Sequence, residues 1–239
     1  MSKRCLIIGA SGEIGYSVTQ TLVEKGYRVG LQYFSNLRRI EQLESQIPAA
    51  QWLGSQQADL STTKGIQAFL HVVSNEWEAI VFCGGHLWKG LFQDMTEAEM
   101  DELYHVHLKA PWMISRHVLP FMIHHKAGNI VTVSSIFGEE GSSMEVAYSS
   151  VKGAQISFVK ALSKEVAPSG IRVNAVTPGV IATKMNEMLT PEEWNTLEGE
   201  IPLGRAGQPH EIADAISYLL SDQSSYVTGH VLRVNGGWT

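Results

Sequence analysis

The chain has 239 residues, of which 44% are hydrophobic and 18% charged, the composition of an ordinary globular protein. Its formal net charge is −6 and no basic run exceeds two residues, as at Arg38 and Arg39, which argues against a nucleic-acid partner. No apolar stretch approaches membrane-spanning length, and the segment before Gly9 is too short for a signal-peptide core, so we expect a cytoplasmic protein without a membrane partner.

Short runs of β-branched residues alternate with longer helical patterns along the chain. Strands are predicted at 4–9, 28–33, 79–83, 129–134, 171–176 and 230–234, with a weaker one near 51–58; helices are predicted near 14–25, 36–46, 62–75, 96–125, 148–167 and 209–221. Apolar strands that alternate with helices indicate a parallel sheet covered on both faces. We therefore predict an α/β fold, a doubly wound, Rossmann-like sheet of about seven strands, in a single domain over residues 1–239.

One short helix is predicted outside this alternation. Thr190 is a cap residue, Pro191 suits the first helical position, and Glu193 completes a capping box, so the helix covers about 191–200. It follows the sixth strand, beyond the edge of the sheet where ligands bind in such folds. We interpret residues 182–205 as a substrate lid, and a surface excursion without a role is the alternative.

The cysteines and histidines indicate neither a disulfide nor a metal site. Cys5 and Cys83 fall at apolar, strand-like positions, so we predict reduced thiols, in agreement with a cytoplasmic location. His117, His124 and His125 lie near the end of a predicted helix and form no ligand set, so we expect no metal.

A glycine-rich loop, Ile-Ile-Gly-Ala-Ser-Gly-Glu-Ile-Gly at residues 7–15, joins the first strand to the first helix. Its glycines allow the backbone to approach a ligand closely, and the N–H groups at a helix start attract anions. The loop is therefore a candidate cradle for the pyrophosphate of a dinucleotide. Glu13 places a carboxylate beside those phosphates; we expect it to point to solvent and to weaken binding modestly.

Three further residues predict carbonyl chemistry. Tyr148 and Lys152 lie four residues apart at the start of a helix, so their side chains share one face. A neighbouring ammonium favours the phenolate and should lower the pKa of Tyr148 towards the working range. Ser135 ends the fifth strand at the same edge of the sheet, where its hydroxyl can stabilise a developing alkoxide.

Together, the glycine loop and the Ser–Tyr–Lys set resemble the short-chain dehydrogenase/reductase family over the whole chain. Residues 174–183 are similar to the family segment that binds the nicotinamide carboxamide, and residues 202–237 also match the family pattern. The general pattern is most similar to the 3-oxoacyl-[acyl carrier protein] reductases. The resemblance implies a homotetramer or homodimer that moves hydride from a nicotinamide to a carbonyl on a small molecule or a carrier protein.

The resemblance also implies the role of each site residue. Tyr148 would be the general acid, Lys152 would lower its pKa and hold the ribose, and Ser135 would polarise the substrate oxygen. Asp59 would contact the adenine, with a helix cap as the alternative. No carboxylate follows the second strand, which favours NADP(H) over NAD(H). The implied cofactor positions are Gly9, Ser11, Gly12, Ile14, Gly15, Ser35, Asn36, Asp59, Leu60, Gly84, Tyr148, Lys152, Pro178, Gly179, Ile181 and Thr183.

The chain departs from the family pattern at three places. Glu13 replaces the middle glycine, Phe82-Cys83-Gly84-Gly85 replaces Asn-Asn-Ala-Gly after the fourth strand, and His107 replaces the fourth catalytic residue, an Asn. Pro111 has no N–H for the carbonyl of His107, so we expect a kink that leaves this carbonyl free to hold the relay water that the Asn carbonyl holds in the family. A packed histidine without a role is the alternative.

Two alternative functions remain open. His107 and the Gly-Gly-Trp238 ending resemble a subgroup of these reductases from Gram-positive bacteria, described as reducing a 5-aminopentanone modification on a lysine of elongation factor P. The other alternative is a nucleotide-binding regulator that kept the fold and lost turnover. The three departures favour the regulator, and the intact Ser–Tyr–Lys set opposes it.

Overall fold

The computed structural model describes residues 3–184 and 190–238. Seven parallel strands form one sheet in the order β3-β2-β1-β4-β5-β6-β7. Every predicted strand is found within a residue or two of its expected bounds, including the weak one. The strands are β1 (Arg4–Ile8), β2 (Arg28–Tyr33), β3 (Trp52–Gln57), β4 (Ala79–Phe82), β5 (Gly128–Val133), β6 (Ile171–Pro178) and β7 (Val231–Val234).

Helices connect these strands and also confirm the expected pattern. The predicted capping box of Thr190 and Glu193 begins α8, whereas α6, only one turn long, was not predicted. The helices are α1 (Glu13–Glu24), α2 (Leu37–Gln46), α3 (Thr63–Val72), α4 (Glu97–Tyr104), α5 (Ala110–His125), α6 (Phe137–Glu140), α7 (Val146–Val166), α8 (Pro191–Glu200) and α9 (Pro209–Leu220).

The sheet is buried on both faces, as its apolar strands predict. Alternate residues of β1 face opposite sides: Cys5 and Ile7 belong to one core with α1, α2 and α9, and Leu6 and Ile8 belong to the other with α3, α5 and α7. The strand order reverses between β1 and β4, which pair directly. In such sheets this reversal opens a crevice at the carboxyl ends of the strands.

The helix predicted at 96–125 is interrupted. A π-helical turn, His105–Lys109, separates α4 from α5. Pro111 follows this turn, and because proline has no N–H to donate, a regular helical ladder cannot continue through it. The interruption lies beside the crevice and brings His107 to it.

The structure describes the predicted lid at 182–205 only in part. Of the predicted lid, residues 185–189 lie outside the described residues, and α8 accounts for most of its second half. Within 3–184 and 190–238, no helix is long and apolar enough to cross a membrane.

Candidate active site

Ser135, Tyr148 and Lys152 line one cavity of about 110 Å³ at the carboxyl edge of the sheet. Ser135 follows β5, and the other two lie on the first turns of α7. The Lys152 Nζ lies 5.4 Å from the centroid of the Tyr148 ring and donates a 2.9 Å hydrogen bond to the carbonyl of Val133. All three side chains are buried. The structure therefore brings together the three residues that the sequence singled out.

Burial dominates the electrostatics of this cavity. It lowers the pKa of Lys152 to about 7. It also raises the pKa of Tyr148, and the charge of Glu145 adds to that rise, although a hydrogen bond with Ser135 opposes it. The expected lowering of the Tyr148 pKa is thus wrong for the protein alone, because burial of the phenol itself disfavours the charged phenolate.

His107 lies in the same cavity, fully buried, with its ring centroid 5.6 Å from that of Tyr148. Burial above all, and then the charge of Lys152, lowers its pKa well below the ordinary value, so the imidazole is neutral. Nε2 lies 2.9 Å from the carbonyl of His86 and must carry the proton, since a carbonyl only accepts. Nδ1 is buried without a hydrogen-bond partner in the described part of the chain.

The main-chain carbonyl of His107 accepts a 2.7 Å hydrogen bond from Nε2 of Gln155, a buried residue of α7. The prediction that this carbonyl is free is therefore wrong. Pro111 cannot donate to it, as expected, but a side-chain amide does so instead. Sequence reasoning missed Gln155; its polarity three residues after Lys152, on a helix face turned to the core, was the available signal.

A longer cleft of about 360 Å³ adjoins this cavity. Gly84 borders both spaces. Gly9 has φ +80°, and a Cβ on it would overlap the Cα of Gly84, so only glycine keeps the floor of the cleft open. Gly15 lines neither space; a Cβ there would overlap the carbonyl of Gly9, which identifies it as a packing position.

Apart from Gly15, the predicted cofactor positions divide between the two spaces. Gly9, Ser11, Gly12, Ser35, Asn36, Asp59, Leu60 and Gly84 line the cleft. Ile14, Gly84, Pro178, Gly179, Ile181 and Thr183 line the cavity together with Ser135, Tyr148, Lys152 and His107.

Comparison with known proteins identifies the family of the chain. A family model described as Enoyl-(Acyl carrier protein) reductase matches residues 9–239. The chain belongs to the short-chain dehydrogenase/reductase family. It is therefore an NAD(P)-dependent oxidoreductase. A solved structure described as a short chain dehydrogenase/reductase family protein superimposes with a TM-score of 0.89 at 24% identity, over 98% of this chain and 96% of the other, which supports the fold.

Three curated relatives span nearly the whole chain. The uncharacterized oxidoreductase YmfI of Bacillus subtilis is 46% identical over 100% of this chain and 99% of its own length. The 3-oxoacyl-[acyl-carrier-protein] reductase FabG of Thermotoga maritima is 34% identical over 98% of this chain and 97% of its own. FabG of Staphylococcus aureus (strain Mu50) is 31% identical over 99% and 98%.

Two side chains organise the cleft of this short-chain dehydrogenase/reductase. Gln32 on β2, which sequence reasoning missed, accepts a 3.0 Å hydrogen bond from the N–H of Gly9 and donates one of 2.9 Å to the carbonyl of Ala58. Asp59 accepts hydrogen bonds from the N–H and hydroxyl of Ser61. The helix-cap alternative for Asp59 is wrong, because Thr62 caps α3.

Glu13 does not point to solvent, contrary to expectation. Its Oε2 accepts a 3.0 Å hydrogen bond from the main-chain N–H of Lys184, and its Oε1 lies 4.0 Å from Nη1 of Arg39. Only 24% of the Glu13 side chain is exposed. The carboxylate therefore connects the start of α1 with two other segments, one beside the cleft and one beside the cavity.

Glu145 is a second acidic residue that sequence reasoning missed. It precedes α7, is 8% exposed, and its Oε2 is buried without a hydrogen-bond partner in the described residues. Burial raises its pKa, and the charge of Lys89 opposes that rise. Met144, just before it, has φ +63°, a left-handed conformation that costs a non-glycine residue energy and concentrates at functional sites.

Neither cysteine forms a disulfide, as predicted. Burial raises the pKa of Cys83 to about 12, although Lys152 opposes this, so the thiol is neutral where it lines both spaces. In the described residues, no three histidine, cysteine or acidic side chains are grouped to hold a metal ion.

Proposed function

We propose that this enzyme is an NADPH-dependent carbonyl reductase that transfers hydride to a ketone. The observation that carries the proposal is the convergence of Ser135, Tyr148 and Lys152 on one small cavity that opens beside a long cleft. A hydroxyl, a phenol and an amine around one space suit the reduction of a carbonyl, which needs a polarised oxygen and a proton donor.

Tyr148 would donate the proton to the substrate oxygen while Ser135 polarises that oxygen. The raised pKa of Tyr148 keeps the phenol protonated at neutral pH, which is the form a general acid must have. Lys152, in its protonated form, would stabilise the phenolate that remains after the transfer. These roles use the three side chains that share the cavity.

The cleft suits a dinucleotide, since the floor at Gly9 and Gly84 tolerates no side chain at residue 9. When bound, the dinucleotide supplies the hydride. Ser11, Gly12 and the start of α1 would hold the pyrophosphate, because helix N-termini attract anions. The nicotinamide end would meet Ile14, Pro178, Gly179, Ile181 and Thr183, and the adenosine end Ser35, Asn36, Asp59 and Leu60.

We propose NADPH over NADH on the basis of charge after β2. Residues 34–37 contain no acid, whereas a carboxylate is what usually meets the ribose of NADH. Two cations follow, Arg38 and Arg39, and the guanidinium of Arg39 packs 4.8 Å from the centroid of the Tyr16 ring. Arg38, which is exposed, would complement a 2′-phosphate.

The activity is tested by following NADPH oxidation with a small β-keto ester. We expect steady turnover that Tyr148→Phe abolishes while the affinity for NADPH is retained, because the ring stays and only the acidic hydroxyl is lost. If tight cofactor binding were found without turnover of any carbonyl, the chain would instead be a nucleotide-binding regulator.

For the substrate, a 3-oxoacyl thioester on acyl carrier protein is our first candidate. The FabG relatives of Staphylococcus aureus and Thermotoga maritima support it by their names. Segments 90–92 and 144–146, joined by a 2.8 Å hydrogen bond from the N–H of Gly90 to the carbonyl of Met144, lead towards Tyr148. Their exposed apolar side chains would suit an acyl chain; they are Leu91, Phe92, Met144 and Val146.

Our second candidate is a ketone that carries an amine, the 5-aminopentanone modification on a lysine of elongation factor P. Glu145 supports it, because a buried carboxylate oxygen without a partner is costly and a substrate ammonium would pair with it. Such pairing would also weaken the influence of Glu145 on Tyr148, whose pKa would fall. The phenol would then be a stronger acid with this substrate bound.

A side-by-side assay decides between the two candidates. It compares an acyl-carrier thioester with ketone-modified elongation factor P, using the wild type and Glu145→Gln. If the amine-bearing ketone is the substrate, Glu145→Gln should lower its kcat/KM by about 10- to 100-fold, the cost of losing a buried charge partner, and spare a β-keto ester. If the thioester is the substrate, the wild type should prefer it and the variant should retain that preference.

We further propose a cytoplasmic homotetramer or homodimer that assembles through α4, α5 and α7. Trp112 supports this surface: it is 39% exposed, and its ring lies 6.2 Å from that of Tyr104 and 6.4 Å from that of Phe158. An aromatic cluster on exposed helix faces is typical of subunit contacts. Analytical ultracentrifugation of the wild type and of Trp112→Lys would test the assembly.

A further inference from the structure

Glu13 contacts or belongs to three segments that flank the cleft or the adjoining cavity. It begins α1, it accepts a hydrogen bond from the N–H of Lys184 beyond β6, and it lies 4.0 Å from Arg39 of α2. Arg39 is itself fixed, since its guanidinium stacks over the ring of Tyr16, which also belongs to α1. One carboxylate thus spans the glycine loop, the segment that carries Thr183, and the helix after Ser35 and Asn36.

The two partners of Glu13 are groups of the kind that bind anions. A main-chain N–H and an arginine are the donors that proteins use to bind phosphate. In this molecule both already meet a carboxylate at the start of a helix, where negative charge is favoured. The Glu13 carboxylate therefore takes the place of an external anion with respect to Lys184 and Arg39.

We propose that Glu13 is a positioning residue: it holds the segment after β6 against the glycine loop before the dinucleotide binds, and its charge lowers the affinity for dinucleotide. This inference rests on the proposed use of the cleft by NADPH. The hydrogen bond preserves the position of Thr183 in the free protein, while the charge repels the phosphates of the incoming cofactor. The hydrogen bond depends on the oxygen that accepts it and the repulsion depends on the negative charge, so the two effects can be separated.

Two substitutions make that separation. Glu13→Gln removes the charge and keeps a carbonyl oxygen that can accept from the N–H of Lys184, whereas Glu13→Ala removes both. Glu24→Gln, at the exposed far end of the same helix, is the control for a change in net charge. Both positions, Glu13 and Glu24, are outside the Ser–Tyr–Lys set.

The first measurement needs no cofactor. Hydrogen exchange of the Lys184 amide, followed by NMR or by mass spectrometry in the free protein, should accelerate by about fivefold or more in Glu13→Ala, because a lost hydrogen bond costs about 1 kcal/mol or more. Glu13→Gln and Glu24→Gln should leave it nearly unchanged. If Glu13→Ala exchanged like the wild type, the hydrogen bond would not hold this segment and the proposal would be wrong.

The second measurement is the dissociation constant of NADPH, followed by its fluorescence. Glu13→Gln should bind about 3- to 10-fold more tightly than the wild type, since a partly exposed like charge is worth about 1 kcal/mol. Glu24→Gln should not change it. Weaker binding by Glu13→Gln would show that the carboxylate assists the cofactor, which contradicts the proposal. Absence of any dinucleotide binding would refute the proposed function, while the exchange experiment would still report on Glu13.

Discussion

The side-chain amide of Gln155 donates a 2.7 Å hydrogen bond to the main-chain carbonyl of His107. This contact joins α7, which carries Tyr148 and Lys152, to the π-helical turn that follows α4. The amide oxygen of Gln155, Oε1, is buried without a hydrogen-bond partner in the described residues. A buried polar contact of this kind fixes how two helices sit against each other, because either group alone would be left unsatisfied.

Replacing Gln155 should therefore destabilise the protein. Gln155→Leu leaves the buried carbonyl of His107 without this donor, and we expect the free energy of unfolding in urea to fall by about 1–3 kcal/mol. Gln155→Met, which keeps the length of the side chain, should lose a similar amount. A variant as stable as the wild type would mean that the carbonyl finds another donor and that the contact does not hold the turn.

His107 should make stability depend on pH below neutrality. Burial lowers the pKa of His107 in the folded state, so the unfolded chain binds a proton that the native state does not bind. The stability of the protein therefore falls as the pH drops below about 6.5. His107→Asn removes this dependence, which has a slope of about 1.4 kcal/mol per pH unit. Urea unfolding at about pH 7.5 and about pH 5 would measure it; equal slopes in both proteins would contradict the assignment of a neutral, buried imidazole.

Turnover provides a separate test of the same region. We expect His107→Asn to reduce carbonyls nearly as fast as the wild type, since the carbonyl at this position and its bond from Gln155 are unchanged. Pro111→Ala should be slower, because a new N–H after the π-helical turn competes for carbonyls there and shifts them. A large loss in His107→Asn would show that the imidazole itself takes part.

The fold was predictable because its signals are local and redundant. Each strand is a short apolar run, and each long helix has its own start or stop residues, so the parallel sheet follows from the alternation. The grouping of Ser135, Tyr148 and Lys152 was predictable for a related reason: the carboxyl ends of parallel strands share one edge of the sheet.

What could not be predicted depends on contacts between distant residues. Glu13 meets Lys184, 171 residues away, and Gln155 meets His107, 48 residues away; neither partner can be identified by spacing. The direction of the Tyr148 pKa shift was also missed, because the burial of the phenol depends on how completely the surrounding elements enclose it.

Lys152 should cost stability near neutrality. Its pKa falls from the ordinary value of 10.5 to about 7, so native-state stability rises with pH between those values, where only the unfolded chain is protonated. Lys152→Met should accordingly raise the melting temperature near neutral pH, by about 2–4 °C for each 1 kcal/mol gained. The gain should shrink as the pH approaches 10.5. Lys160→Met, an exposed position of the same helix, is the control, and a gain independent of pH would contradict the buried, discharged amine.

The contribution of Glu145 to the stability of the protein should have the opposite pH dependence to that of Lys152. Burial raises its pKa, so its contribution to stability is greatest at acidic pH and is lost as the pH rises through the folded-state pKa. Glu145→Gln should therefore melt a few degrees higher than the wild type at neutral pH and show no such gain at about pH 4. Glu165→Gln, at an exposed position of α7, is the control for the change in net charge. A lower melting temperature at neutral pH would mean that the Glu145 charge is paired.

The cofactor preference should shift towards NADH when a carboxylate is placed after β2. Ser35 lines the cleft and is exposed, and Asn36 next to it caps α2 through the N–H of Arg39, so Ser35 can be changed without removing the cap. In Ser35→Asp the new carboxylate would repel a 2′-phosphate and accept hydrogen bonds from a free ribose. We expect the ratio of kcat/KM for NADPH to that for NADH to fall by about 10- to 100-fold, about 1–3 kcal/mol. Ser45→Asp, on the exposed side of α2, is the control and should leave the ratio unchanged. If Ser35→Asp also left the ratio unchanged, the 2′-phosphate would bind elsewhere.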